Sequence, residues 1–156
     1  MNDVNESIAK AIADGAYTIS NADGTTGTLT PWGGSVPEGW ERQLPSVIIN
    51  QVGGTIDRMF RPVGGSVTPK IETSRVQTDF YWRWQGDMTP FRALFQKVVY
   101  ALEDSQITLV GNSIPTPPGG VRLFVVMWRD GLERESVEDK MALISQDWQF
   151  SILRGP

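Results

Sequence analysis

Residues 74–85 read SRVQTDFYWRWQ, from Ser74 to Gln85. Val76, Thr78, Phe80, Trp82 and Trp84 make one alternate set. Arg75, Gln77, Asp79, Tyr81, Arg83 and Gln85 make the other. Alternate side chains of a strand point to opposite faces, so the stretch predicts a strand with one apolar face and one polar, mixed-charge face. The strand is expected to run from about Lys70 to Gln85. Its apolar side is core, and its polar side is the feature that needs a purpose.

A helix is expected directly afterwards, over Met88–Glu103. Thr89 is placed to cap it and Pro90 to occupy its first position. Phe91, Leu94, Phe95, Val98, Val99 and Leu102 form a wide apolar stripe, each side chain worth roughly 1.5–3 kcal/mol when buried. Further on, strands are expected at Ile107–Val110 and at Val121–Trp128, the latter apolar on both alternate sets and so covered on both faces. A GNSIPTPPGG loop separates them. The charged connection 129–140 is expected to extend the second strand as a projecting hairpin. Met141–Leu153 alternates again, with Ala142, Ile144, Trp148, Phe150 and Ile152 opposite Ser145, Asp147, Gln149 and Ser151.

Upstream, Asp3–Ala13 predicts an amphipathic helix with Val4, Ile8, Ala11 and Ile12 on one stripe. Asp3 and Glu6 stand in capping-box positions and Gly15 ends the helix. Tyr17–Pro45 is a long loop rich in Gly, Thr and Pro that carries Trp32 and Trp40, with short strands near Ala16–Ile19 and Thr28–Leu29. A segment of this length without regular structure is usually functional or disordered. Ser46–Val52 predicts a strand, Gly53–Gly54 a turn or bulge, Thr55–Arg61 a further strand and Val63–Pro69 a loop. The whole is an α+β chain, one domain over 1–156, with a mainly antiparallel sheet packed on one face by an N-terminal and a central helix.

The chain has 156 residues, a net charge of -4, no His and no Cys. Without those two residue types, zinc, haem-type and Cys-nucleophile chemistry have no obvious ligands or bases. An acidic balance argues against gripping nucleic acid by its phosphates. No stretch is long and apolar enough to span a bilayer, and the first residues lack the pattern of a secretory signal, so synthesis inside a cell is the default. Gly24, Gly27, Gly33, Gly34 and Gly39 match no phosphate-binding motif and suit a flexible surface loop. Asp57, Glu72, Asp79 and Asp87 match no metal-binding spacing and suit solvated surface. The charge run Glu133–Lys140 reads as a solvated turn or as a docking patch. Trp32 and Trp40 either fold back on the domain or anchor a partner. The polar set of residues 75–85 is either a water-facing sheet surface or a subunit interface.

Several of these features occur together in one family. A capped N-terminal helix precedes a loop, then a strand opening Pro45-Ser46-Val47-Ile48-Ile49. A strand carrying Arg75, Gln77, Asp79 and Trp82 leads into a helix with Val98-Val99-Tyr100-Ala101-Leu102, and a charged turn precedes a last amphipathic strand. This order resembles the tail terminator, or tail completion, proteins of long-tailed phages and gene transfer particles. The resemblance implies a virion protein of the tail and neck, assembled in the host cytoplasm. It implies a hexameric ring that caps the tail tube, stops its polymerisation and presents a surface to the head connector or stopper. DNA would pass through the hole without specific binding, and neither a reaction nor a cofactor is implied. Interface positions expected from the alternation, the loops and the charged connection are Arg75, Gln77, Asp79, Arg83, Trp32, Trp40, Arg129, Asp130 and Arg134. The competing reading is a small-molecule or carbohydrate-binding module whose loop Trp and Gly residues form a ligand slot.

Overall fold

The computed structural model describes residues 3–33, 35–58, 70–103, 106–108 and 124–154. In chain order its elements are α1 (Asp3–Asp14), β1 (Thr18–Ser20), β2 (Thr26–Thr28), β3 (Thr30–Trp32), a 3-10 turn at Trp40–Arg42, and β4 (Ser46–Arg58). Then follow β5 (Lys70–Arg83), α2 (Thr89–Leu102), β6 (Gln106–Thr108), β7 (Phe124–Arg129), β8 (Arg134–Glu138) and β9 (Met141–Arg154). The main sheet runs β3-β4-β5-β9-β7-β6, with β8 also on β9, while β1 and β2 form a separate hairpin. β3 is parallel to β4 and the other pairs are antiparallel. This is the expected α+β layout.

Register explains the core. Val47 pairs with Phe80 and Phe80 with Ile144; Ile49 pairs with Thr78 and Val76 with Trp148. Paired residues share a face, so these side chains build one surface, and all of them are buried. Both helices cover it. Phe95 meets Phe80 edge-on at 5.1 Å, and Phe91 lies over Trp82 at 5.6 Å between centroids. α1 contributes Val4, Ile8 and Ile12. It packs against β3 and β4 at one edge and β6 at the other, so the sheet curls around its helices.

Most polar atoms of Thr78, Gln146 and Trp148 on this buried face are paired, the exception being Gln146 Oε1, which has no hydrogen-bond partner among the described residues. Trp148 Nε1 donates to Thr78 Oγ1 at 3.0 Å, and Thr78 Oγ1 donates to the Gln146 carbonyl at 3.2 Å. Gln146 sits where β9 changes partner: Arg129 is opposite Trp148 and Arg134 opposite Ser145. Between them residues 130–133 loop out. Gln146 Nε2 fills the gap by donating to the carbonyls of Asp130 and Asp147, at 3.0 and 2.8 Å.

Several local expectations need correction. Gly53–Gly54 does not separate two strands: β4 runs through, with a register shift between Gln51 and Gly53 that leaves Val52 exposed. The charged connection does not project. β8 lies along β9, joined by a two-residue turn in which Asp139 and Lys140 have φ of 50 and 60, the left-handed pair such a hairpin needs. The loop Val63–Pro69, the GNSIPTPPGG loop and Val121–Arg122–Leu123 lie outside the described residues. So do residues 59–61, 109–110 and Gly34.

Gly15 is also not the left-handed stop of α1; Ala16 is, with φ 47. A Cβ at Gly15 would meet the far edge of the Tyr17 ring, so a larger residue there requires that ring to shift. Gly33 is buried, not loop surface. A Cβ on it would fall on the Asn5 carbonyl of α1, while Asn5 Nδ2 donates to the Ile49 carbonyl at 3.2 Å. Gly33→Ala must therefore push α1 off the sheet, with an expected loss of about 1–3 kcal/mol. Urea titration measures it, and an unchanged midpoint contradicts this close approach.

Thr89 does not cap α2 with its side chain. Asp87 Oδ1 accepts the Thr89 N–H at 2.9 Å, and that bond holds the Asp87 carboxyl below its usual value. A carboxyl that titrates lower when folded adds stability above the ordinary carboxylate range, and the gain is lost as pH falls through the lowered value. Asp87→Asn should thus flatten the acid limb of a melting-temperature profile. An identical acid limb in the variant rules the cap out as its source.

Candidate interaction surface

The helices cover one side of the sheet, and the other side is the polar set of β5. Arg75, Gln77, Asp79, Tyr81 and Arg83 point there, opposite Gln149, Asp147, Ser145, Leu143 and Met141 of β9. Asp79 Oδ1 accepts from Ser145 Oγ and from Gln77 Nε2, the latter at 2.9 Å. Gln77 and Asp79 are half-buried by these mutual contacts. Arg134 reaches Asp147 at 3.5 Å and Arg75 reaches Asp130 at 3.8 Å. The two arginines are 64% and 62% exposed. Such open, loose pairs contribute between zero and about 1 kcal/mol. Their charges are latched only weakly and are free to exchange partners. Arg83, at the end of β5, has no ion pair among the described residues.

Of the two readings open for the loop tryptophans, Trp40 folds back. Its ring meets Tyr81 edge-on at 4.9 Å, closing one end of the open face. Burial, and then the nearby Asp79 charge, push the Tyr81 phenol above its usual value. Trp32 is half-buried on β3, and its buried Nε1 has no hydrogen-bond partner among the described residues.

Six expected interface positions, Arg75, Gln77, Asp79, Arg83, Asp130 and Arg134, thus gather on or beside one surface. Arg129 does not join them. It pairs with Trp148 and so lies on the helix side. There its guanidinium stands 5.5 Å from the Tyr100 ring and reaches Glu133 at 3.1 Å and Glu103 at 3.7 Å. Alternation along β7 did not carry this information, because both of its alternate sets are apolar; the β7–β9 register decides it. Ser145, Asp147 and the Trp40–Tyr81 contact complete the surface; only the β5–β9 register, which a single sequence does not print, brings the first two to it.

Two shallow hollows flank this face. One, of about 410 Å³, lies between the β1–β2 turn, the 3-10 turn and the end of β5, with Arg42, Leu44, Trp82 and Arg83 among its lining. Its β1–β2 wall is clasped to β5: Asn21 Oδ1 accepts from Trp82 Nε1 and Gln85 Nε2, both at 3.1 Å. The other, of about 340 Å³, is lined by Gln77, Arg134, Leu143 and Ser145 among others. Neither is lined by Trp32 or Trp40, the residues that a ligand slot in the long loop would use.

Among the carboxylates considered for acid–base or metal work, Asp79 belongs to the open face and Asp87 caps α2. The side chains of Asp57 and Glu72 lie outside those described. Among the described residues no three acidic side chains converge as a metal site, and no helix is long and apolar enough to cross a membrane. Compared with protein-family models and with curated proteins, the chain matches none.

Proposed function

We propose that this chain is a structural subunit that joins copies of itself into a ring at the end of a phage tail tube, ending tube growth and offering a seat to the head connector. The reading starts from the resemblance of the sequence to tail terminator proteins. The observation that carries it is the open face of β5, β8 and β9: a patterned array of opposite charges held by loose ion pairs, on the side of the sheet that the helices leave bare. Mixed charge of this kind orients and selects a partner more than it adds affinity. A ring requires one surface of each copy to meet a different surface of the next. A sheet with helices on one side and a polar array on the other has two unlike surfaces to offer. The net charge of -4 suits a pore past which DNA must slide without sticking.

The test is tail assembly in particles that lack this chain. Without it, tubes should overrun their length or fail to join heads, and adding back the purified protein should restore joining. Tubes of normal length and full joining in its absence would end the proposal.

A further inference from the structure

The loop between β7 and β8 carries the most exposed large apolar side chain of the described residues, Leu132, at 84%. Its turn is built to hold it out. Gly131 has φ 77, and a Cβ there would press on Asp147 Oδ2 at 3.3 Å, so the turn accepts glycine alone without strain. Asp130 and Glu133 flank the tip in sequence, and their present partners are Arg75 at 3.8 Å and Arg129 at 3.1 Å, exposed or half-exposed pairs that a second copy's arginines would have to replace. The result is an exposed apolar knob flanked by two carboxylates, left open by the side chains of the described residues.

A matching recess exists elsewhere on the molecule. The hollow of about 410 Å³ has the half-buried Leu44 in its lining and the buried Trp82 behind it, with Arg42 and Arg83 at its walls. Neither arginine has an ion pair among the described residues. Glu41 and Asp23 also line it, but Asp23 is turned to its own loop, accepting from Thr25 N and Oγ1 at 2.9 and 2.6 Å. The knob follows β7 opposite Asp147, whereas the recess lies at the far end of β5, where Arg83 pairs with Met141. Knob and recess are thus separate patches on one chain.

We propose that Leu132 of one copy seats in the Leu44–Trp82 hollow of the next, with Asp130 and Glu133 meeting Arg42 and Arg83. This assignment rests on the ring reading and names its contact. Separate knob and recess produce a head-to-tail arrangement, which closes into a ring when the rotation allows. An apolar anchor within a charged rim is also the usual anatomy of a specific protein contact.

The native chain has no Cys, so introduced thiols report contacts cleanly. Copies bearing Leu132→Cys and copies bearing Leu44→Cys are mixed and oxidised, and the products are weighed under denaturing conditions. Mixed Leu132–Leu44 dimers in large excess over either self-dimer are expected. In native mass measurements Leu132→Asp and the double change Arg42→Glu, Arg83→Glu should each lower the oligomer fraction at least tenfold, with circular dichroism unchanged. Glu133→Arg combined with Arg83→Glu should recover assembly. If wild-type rings form but the mixed crosslink is absent and Leu132→Asp assembles normally, this contact is wrong and the ring reading stands. If the wild-type chain stays monomeric up to millimolar concentration, both are overturned. Dominant Leu132–Leu132 dimers would mean a two-fold pairing and contradict the head-to-tail arrangement.

Discussion

Trp148→Ala is expected to cost about 3–5 kcal/mol, a large share of the roughly 5–15 kcal/mol that holds a domain of this kind together. Trp148 is fully buried in the middle of β9. Its loss leaves a cavity between β9 and the helices, which the surrounding strands, fixed by long antiparallel registers, cannot close. It also strips Thr78 Oγ1 of the indole donor. Thr78 keeps its own bond to the Gln146 carbonyl, so the hydrogen-bond part is the smaller one. Trp148→Phe, which keeps most of the bulk, should therefore lose clearly less than Trp148→Ala. Urea unfolding of the three proteins checks the order, with an unchanged slope showing that the unfolded state is not altered. Equal losses in the two variants would assign the effect to the hydrogen bond instead of to packing.

Arg83→Glu is expected to act in the opposite way, leaving stability within about 0.5 kcal/mol while suppressing assembly. Arg83 is exposed at the end of β5 and makes no ion pair among the described residues, so its own fold loses nothing by the change. Any partner that meets it with acid would instead face a like charge, which costs several kcal/mol at an interface and slows encounter. Arg75→Glu should act in the same direction, with a small extra effect on stability through Asp130 at 3.8 Å. Complementation of tail joining, read beside the melting curves, separates the two effects. Normal joining by both variants would remove this face from the interface.

The division between legible and hidden features follows a physical line. The β5 and β9 faces were legible because a strand repeats every two residues, and each has one predominantly apolar set, interrupted at Thr78 and at Gln146. The α2 stripe was legible for the same reason at helical spacing; Phe91, Leu94, Phe95, Val98, Val99 and Leu102 are all buried. Pairing was not legible. Nothing local in Ser145 says that it faces Asp79, or that the short β3, which includes Pro31, runs parallel beside β4. The double glycine at Gly53–Gly54 suits a turn or a bulge, and only the partner strand decides for the bulge after Gln51. Gln146 breaks the apolar set of β9 for a reason that exists only in three dimensions, the gap where β7 gives way to β8. The α2 cap was misplaced by two residues, since Asp87 and Thr89 are both competent acceptors and the entry angle of the chain selects one. Arg129 is expected at an interface because it opens the charged 129–140 connection, whereas its pairing in β7 sends it to the helix side.

Whether copies of this chain join is the most direct question, and the mass of the native protein over a concentration series answers it. The account predicts a six-copy species that grows with concentration and is lost in Arg83→Glu. A single-copy mass at every concentration, unchanged by Arg83→Glu or by Leu132→Asp, would contradict it.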